Sequence, residues 1–273
     1  MGTNARTAIL GTGNIGRAMA VGLAGVGRFQ PSEMILTRRS VDGLADLAAQ
    51  GFQVQTDNRD AARRADVVVV AVQPGQLDTL LHEIAPDLDP ARHLLVSVVS
   101  GASIADIVRQ VGREVPVVRA MPNTAIAVSR SMTCLATNSP RHEVLDTAAS
   151  IFDAVGTTMV IDEEHMIPAT ALCACGIAFF LRAVRAASQG GIEIGFHPEQ
   201  ALAMAAQTAL GAASLVLHRG SHPEGEIDAV TTPRGCTISG LNEMEHQGFS
   251  SALIKGIVVS AVKASELYTR KAE

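Results

Sequence analysis

The sequence predicts an α/β fold: an N-terminal doubly wound parallel sheet followed by an all-helical C-terminal domain. Three observations carry this. Short apolar runs alternate with helical patterns up to about residue 160. The run Val67-Val68-Val69-Val70 has no polar face, as a strand covered on both sides of a parallel sheet requires. Beyond Asp162 the chain becomes alanine-rich and helically periodic, with almost no strand signal.

In chain order, strands are expected at residues 7–10, 33–37, 53–55, 66–72, 94–98, 115–120 and 132–136, with helices at 14–26, 41–50 and 103–111 between them. The second half carries helical patterns at 164–188, 198–218, 238–246 and 250–270. The texture changes at 157–163, which divides the chain into domains at 1–160 and 161–273 without a Pro/Gly-rich linker or an internal repeat.

Composition narrows the partners. At 273 residues the chain can bury a sizeable core. A net charge of −5 without a basic stripe argues against a nucleic acid and for a small molecule. The apolar run 166–181 contains Pro168 and is closed by His165 and Arg182, so it is expected to fall short of a bilayer span and form a buried helix, with no membrane partner. Arg6 leads directly into strand-like sequence with no secretory pattern, which points to the cytoplasm. Cys134, Cys173, Cys175 and Cys236 show no C-x-x-C spacing; all but Cys236 are expected to serve as small packing residues. So apolar a helical half is expected to form the core of a homo-oligomer, at least a dimer through the C-terminal helices.

The first chemical signal is Gly11-Thr12-Gly13-Asn14-Ile15-Gly16, which follows an apolar strand and opens an amphipathic helix. That context makes it a Rossmann-type dinucleotide site. Gly11 permits the tight turn, Gly13 lets backbone N–H groups approach a pyrophosphate, and Gly16 lets the helix pack on its strand; the phosphates sit at the positive helix end. The second strand ends in Thr37-Arg38-Arg39-Ser40, where an NAD-preferring site usually offers a carboxylate. Two guanidinium groups suit a 2′-phosphate, so NADPH is the expected cofactor and NADH the alternative.

Ketone reduction needs an acid for the developing alkoxide. The chain has one tyrosine, Tyr268, no Tyr-x-x-x-Lys pair, and only Lys255, Lys263 and Lys271 as lysines. A protonated imine takes hydride with no large charge left to stabilise, so positioning suffices. Thr231-Thr232-Pro233-Arg234-Gly235-Cys236-Thr237 offers three hydroxyls, a close-approach glycine and a following helix N-terminus that attracts a carboxylate. An acidic imine fits this loop.

The chain resembles pyrroline-5-carboxylate reductases over nearly its whole length, through Ile9 to Asn14, Ala71-Val72-Gln73-Pro74, Val96 to Gly101, Arg119-Ala120-Met121-Pro122-Asn123-Thr124 and His222 to Thr237. The resemblance implies that Ala71, Val72, Gln73, Pro74, Met121, Pro122 and Asn123 line the cofactor toward its nicotinamide, with Asn58 near the adenosine ribose or its phosphate. It implies that Thr232, Gly235 and Thr237 hold the substrate, with Thr237 hydrogen-bonding the imine region. Thr232 and Thr237 are thus the candidate catalytic residues, and Thr231, Arg234 and Cys236 join them as candidate substrate contacts. The implied reaction is NADPH-dependent reduction of 1-pyrroline-5-carboxylate to L-proline.

Three departures from the family pattern bear on the substrate. Pro233-Arg234-Gly235-Cys236 replaces Pro-Gly-Gly followed by Thr or Ala; Cys173-Ala174-Cys175-Gly176-Ile177-Ala178-Phe179 replaces Ser-Gly-Ser-Gly-Pro-Ala-Tyr; and Val72-Gln73-Pro74 replaces Val-Lys-Pro. The alternatives are a related imine or keto-acid reductase and a catalytically silent nucleotide-binding regulator. Hydroxyacid dehydrogenases of similar build use a lysine on the second domain's first helix, and none occurs between Glu163 and Gln189. No metal site is expected: His218 and His222 fall at a helix end, and Asp162-Glu163-Glu164-His165 reads as helix capping.

Overall fold

The computed structural model describes residues 5–27 and 29–268. Within them, β1 (Thr7–Leu10), α1 (Asn14–Gly25), β2 (Met34–Thr37), α2 (Ala45–Ala49), β3 (Gln53–Gln55), α3 (Asn58–Arg64), β4 (Val67–Val70), α4 (Leu77–Ile84), β5 (Leu94–Ser97), α5 (Ile104–Val111) and β6 (Val117–Met121) alternate as expected of a doubly wound sheet. β7 (Ser131–Thr137), α6 (His142–Phe152) and β8 (Gly156–Val160) complete it. The strand order is β3-β2-β1-β4-β5-β6-β7-β8.

The doubly wound sheet is parallel except at one pairing, where β7 runs antiparallel to β6; β8 then runs parallel to β7. The short connection from β6 to β7, a single turn over Thr124–Val128, leaves no room for a crossover helix. Two apolar layers cover the sheet. Ile9, Val69 and Val96 face one, with Met19 and Leu23 of α1; Ala8, Val68 and Leu95 face the other, with Leu77 and Leu81 of α4. Alternate residues of the same strands thus enter opposite cores, which is why these strands carry no polar face.

Several boundaries move. The 33–37 strand begins at Met34 because Pro31–Glu33 forms a 3₁₀ turn, and the 66–72 strand ends at Val70. The 41–50 helix divides into a 3₁₀ turn, Val41–Leu44, and α2. Helices α3, α4 and α6 and the strand β8 were not anticipated. α5 starts where expected, on the capping box of Ser103 with Asp106, and ends at Gly112 with φ 64°.

The chain forms two compact units, one comprising Met1–Cys175 with Ser260–Glu273 and the other Gly176–Val259. The first includes α7 (Met166–Ala169), where Pro168 is tolerated because early helical N–H groups lack internal acceptors, and a π-helical turn over Thr170–Cys175. The second contains α8 (Gly176–Glu193), α9 (Pro198–Arg219), α10 (Pro223–Ala229), α11 (Cys236–His246) and most of α12 (Phe249–Ser265). Thr269 and Arg270, to which the sequence extends the last helix, lie outside the described residues.

The second unit leaves much apolar surface open: Phe180, Leu181, Met204, Leu217 and Ile254 are among its exposed side chains. The 166–181 run is neither buried nor too short. It lies in a helical stretch of 31 residues, Glu163–Glu193, and this stretch and Pro198–Arg219 are both long and apolar enough to cross a membrane by length and composition. Helical turns on both sides of the uninterrupted run supply the added length.

Candidate functional site

Residues following β1, β2, β3 and β4 converge on a cleft of about 460 Å³ at the carboxyl ends of the strands. This is the crevice in which a doubly wound sheet binds ligands. Gly11, with φ 93°, makes the turn out of β1; a Cβ there would meet Val72 Cγ1 at 2.5 Å and the Ala71 carbonyl oxygen at 2.8 Å. Gly16 brings α1 onto its strand, since a Cβ would lie 2.9 Å from the Gly11 carbonyl oxygen and 3.2 Å from Ile9 Cγ2. A Cβ on Gly13 would meet nothing within 4 Å. That glycine therefore opens space toward the cleft instead of relieving a clash within the protein.

The turn is tied to β2. Gly11 and Thr12 donate backbone N–H bonds to the Thr37 carbonyl oxygen at 3.2 and 2.8 Å. α1 begins at Asn14 with Gly13 as its cap, has no side-chain cap and carries no acid in its first turn. The N–H groups of Asn14, Ile15 and Gly16 have no acceptor within the helix, and the positive end of its dipole is uncompensated. An anion suits that position.

The far end of the cleft is polar. Thr37 Oγ1 donates to Asn58 Oδ1 at 2.6 Å, and Asn58 Nδ2 donates to Glu83 at 3.0 Å, so both ends of the Asn58 amide are held. Arg38 and Arg39 are exposed here, and among the described residues neither forms an ion pair. Arg38 donates to the Gly43 carbonyl at 3.3 Å and lies so close that a Cβ on Gly43 would overlap its guanidinium. Of the sequence candidates, Gly11, Thr12, Gly13, Thr37, Arg38, Arg39, Asn58, Ala71, Val72 and Gln73 line this cleft.

Asn14, Ile15 and Gly16 form the helix start beside it, and Pro74 opens the 3₁₀ turn Pro74–Gln76. Met121 ends β6 and Pro122 and Asn123 follow it, none of them in the cleft lining. Asn123 is buried: its N–H donates to Ser131 Oγ, its Oδ1 accepts from the Ala125 N–H, and its Nδ2 donates to the Cys173 carbonyl at 3.1 Å.

The sequence reading missed Thr56, Gln76, Thr79 and Glu83 in the lining. Thr56 follows β3 as Thr37 ends β2, so the strand-end rule points to it. Gln76, Thr79 and Glu83 recur at the spacing of one helical face.

In the helical unit, the 231–237 loop forms a turn in which Gly235 N–H donates to the Thr232 carbonyl at 2.9 Å. Pro233 and Arg234 occupy its centre, and Arg234 has φ 62°, a left-handed conformation uncommon for a residue with a Cβ. A Cβ on Gly235 would meet Thr232 Oγ1 at 2.5 Å. α11 starts at Cys236, two residues earlier than expected, because Gly235 is its cap; this puts Thr237 in the first turn. Thr232, Arg234 and Cys236 are exposed, and Thr237 is half-buried. Thr231 Oγ1 instead donates to the Ile227 carbonyl at 2.7 Å, closing the end of α10.

The expected capping role of Glu163 is corrected. Its carboxylate accepts from the Ile104 N–H at 2.6 Å and from Arg119 at 3.2 Å, joining distant parts of the first unit. Burial draws the Arg119 guanidinium below its ordinary pKa while Glu163 holds it charged. Asp162, Glu164 and His165 present ligand atoms within 4.8 Å of one another, all on exposed side chains, an arrangement common at helix starts without any ion. His218 Nδ1 contacts the Ser214 carbonyl, and His222 Nδ1 accepts from the Glu224 N–H, so both serve helix ends.

Comparison with known proteins agrees with this geometry. Residues 163–267 match the family model for pyrroline-5-carboxylate reductase dimerisation, and residues 6–101 match that for NADP oxidoreductase, coenzyme F420-dependent. The chain is 53% identical over 276 residues to pyrroline-5-carboxylate reductase 1 of Dictyostelium discoideum, covering 97% of this chain and 50% of that relative. It thus spans about half the length of that protein. It is 44% identical to pyrroline-5-carboxylate reductase 2 of the same organism, covering 96% of this chain and 93% of the relative. The fold matches the crystal structure of Plasmodium falciparum pyrroline carboxylate reductase with NADP bound, at TM-score 0.89, 24% identity, and coverage of 98% of this chain and 99% of that one. On the relative matched along 93% of its length, the chain belongs to the pyrroline-5-carboxylate reductase family.

Proposed function

We propose that the protein reduces 1-pyrroline-5-carboxylate to L-proline with NADPH. The observation that carries this is the strand-end cleft, in a member of this family, that joins an uncapped helix N-terminus to two unpaired arginines. A dinucleotide phosphate fits there: Gly13 leaves room for it, the N–H groups of α1 face an anion, and Arg38 and Arg39 suit a 2′-phosphate. Gly11, Thr12, Gly13, Asn14, Ile15 and Gly16 would hold the pyrophosphate, Thr37, Arg38, Arg39 and Asn58 the adenosine side, and Ala71, Val72, Gln73 and Pro74 the path toward the nicotinamide. Met121, Pro122 and Asn123 would support that end from β6. When bound, the reduced nicotinamide supplies the hydride.

The rest is positioning. The imine nitrogen is protonated before transfer, so no strong acid is required of the chain. The first-turn N–H groups of α11 would take the substrate carboxylate, aided by Arg234. Thr237 and Thr232 would orient the C=N bond, with Thr231, Gly235 and Cys236 shaping the loop. Residues 1–160 would serve the cofactor and 161–273 the substrate and self-association.

The exposed apolar helices fit a homodimer formed through the C-terminal region, since residues 163–267 match a dimerisation model and an uncovered surface of this kind favours association. This gives the membrane-length helices a partner other than lipid and suits an enzyme of the cytoplasm.

The test is NADPH consumption with pyrroline-5-carboxylate beside its six-membered homologue, pyruvate and an uncarboxylated cyclic imine. Rapid oxidation with the five-membered acid alone is expected, and Thr237→Ala should lower turnover while leaving NADPH binding intact. Activity confined to another compound would move the substrate assignment onto Arg234 and the 173–179 segment.

A further inference from the structure

Two thiols meet where β7 faces the π-helical turn. Cys134 and Cys173 Sγ atoms lie 4.0 Å apart, within an apolar cluster that includes Met121, Ala136 and Met166. Cys134 is 4% exposed, whereas Cys173 is only half-buried. Among the described residues no imidazole or carboxylate joins them as a metal-ligand set. The pair therefore has the geometry of a dithiol.

We propose that Cys134 and Cys173 form a redox-modification site, closed as a reversible intramolecular disulfide by exchange with a low-molecular-weight disulfide such as glutathione disulfide. Cys173 is the attacking sulfur, because it belongs to the less buried residue of the two. Its thiolate attacks the oxidant's S–S bond, expels one glutathione thiolate that takes up a proton, and leaves a mixed disulfide. The Cys134 sulfur then gives up its proton, attacks the Cys173 sulfur and releases the second glutathione as a thiol. The dithiol loses two electrons, and glutathione disulfide gains them as two thiols. The thiol proton supports this order of attack. The hydrogen bond between the two sulfurs draws the Cys173 thiol down to about 7, while that bond and burial push Cys134 well above the ordinary thiol value.

The modification has a route to the site. A covalent S–S bond is about 2.0 Å long, so closure brings the two sulfurs about 2 Å nearer than the present 4.0 Å and fixes both side chains, tying the π turn to β7. The Cys173 carbonyl is the acceptor for Asn123 Nδ2. Closure therefore bears on the hydrogen bond that holds Asn123, two residues past β6, and under the proposed function this lowers turnover. Only that last step rests on the proposed function.

The deciding experiment equilibrates the full chain in glutathione redox buffers, followed by intact mass and peptide mapping. A species two hydrogens lighter is expected, with a peptide pair cross-linked through Cys134 and Cys173, reversed by dithiothreitol. Turnover should fall about tenfold or more with the cross-link and return on reduction. In Cys134→Ser the cross-link should be lost and Cys173 retained as a glutathione adduct; in Cys173→Ser neither product should form at this pair. Absence of the two-hydrogen loss in oxidising buffer, or a cross-link mapping to Cys175 or Cys236, would overturn the site. Full turnover by cross-linked protein would overturn its effect on activity. Because mass is read without substrate, failure of the proposed reaction leaves this result interpretable.

Discussion

The N-termini of α1 and α11 both lack a side-chain cap and a first-turn acid, yet at Gly11 and Gly16 of the turn into α1 a Cβ would strike Val72 and Ala71, just past β4, and Ile9 of β1, whereas the turn into α11 closes on its own Thr232 and carries Arg234 at φ 62° in the open. One proposed anion site is moulded by the core beneath it. The other is held by a single turn and its own backbone bonds. Cofactor geometry should therefore resist change in everything but the glycines, while the substrate loop should accept side chains and let them tune what it binds.

The largest effect should come from Gly11→Ala. It places a Cβ against Val72 and the Ala71 carbonyl and needs a backbone angle that alanine disfavours, at a cost of about 3 kcal/mol. Denaturant unfolding should show it, and unchanged stability would mean that the α1 turn is as tolerant as that of α11. Gly13→Ala sharpens the contrast: its Cβ meets no protein atom, so stability should hold while NADPH affinity, read by nucleotide fluorescence, falls about tenfold or more.

Next in size is Arg38→Ala combined with Arg39→Ala. NADPH should weaken by about 2 kcal/mol and NADH far less, measured as Kd for each. Equal losses would remove the 2′-phosphate assignment.

Tyr268→Phe probes a contact within the first unit. Tyr268 donates to Asp78 at 2.8 Å, and its loss should cost about 1 kcal/mol. Burial, then the bond to Asp78, raises the Tyr268 pKa. Its stabilising share is thus present at neutral pH and lost as pH rises through that raised value, above about 10, and only the wild type should show this loss.

The smallest effect on stability should be that of Arg234→Gly. Relief of the left-handed conformation should stabilise the chain by up to about 1 kcal/mol, while KM for the carboxylated imine rises if the guanidinium holds the carboxylate. An unchanged KM would assign the carboxylate to the helix start alone.

The same contrast explains what the sequence disclosed. β1, α1 and the roles of Gly11 and Gly16 were legible because each obeys a local rule of spacing and close packing. The reversal of β7 was not, since an apolar run looks the same in either direction. β8 escaped because it is mostly exposed and reads as the polar Gly-Thr-Thr start of a loop. Short α3 is dense with charge, and its Asn58 acquires a place only through Thr37 and Glu83, each more than 20 positions away. The start of α11 after Gly235 was legible to within two residues, but the left-handed Arg234 before it was not, because a turn with arginine at that position follows no local preference.

The contact between Tyr268 and Asp78 spans 190 positions and closes against Gly101, which has φ 90° and where a Cβ would lie 3.0 Å from the Tyr268 backbone nitrogen. The first unit is thus discontinuous: during synthesis its sheet can pair strand by strand, but this seam waits until the helical unit has been made. Closing so long a loop is entropically costly early, which places the seam late in folding. Weakening it should chiefly hasten unfolding and leave the rate of sheet formation nearly untouched.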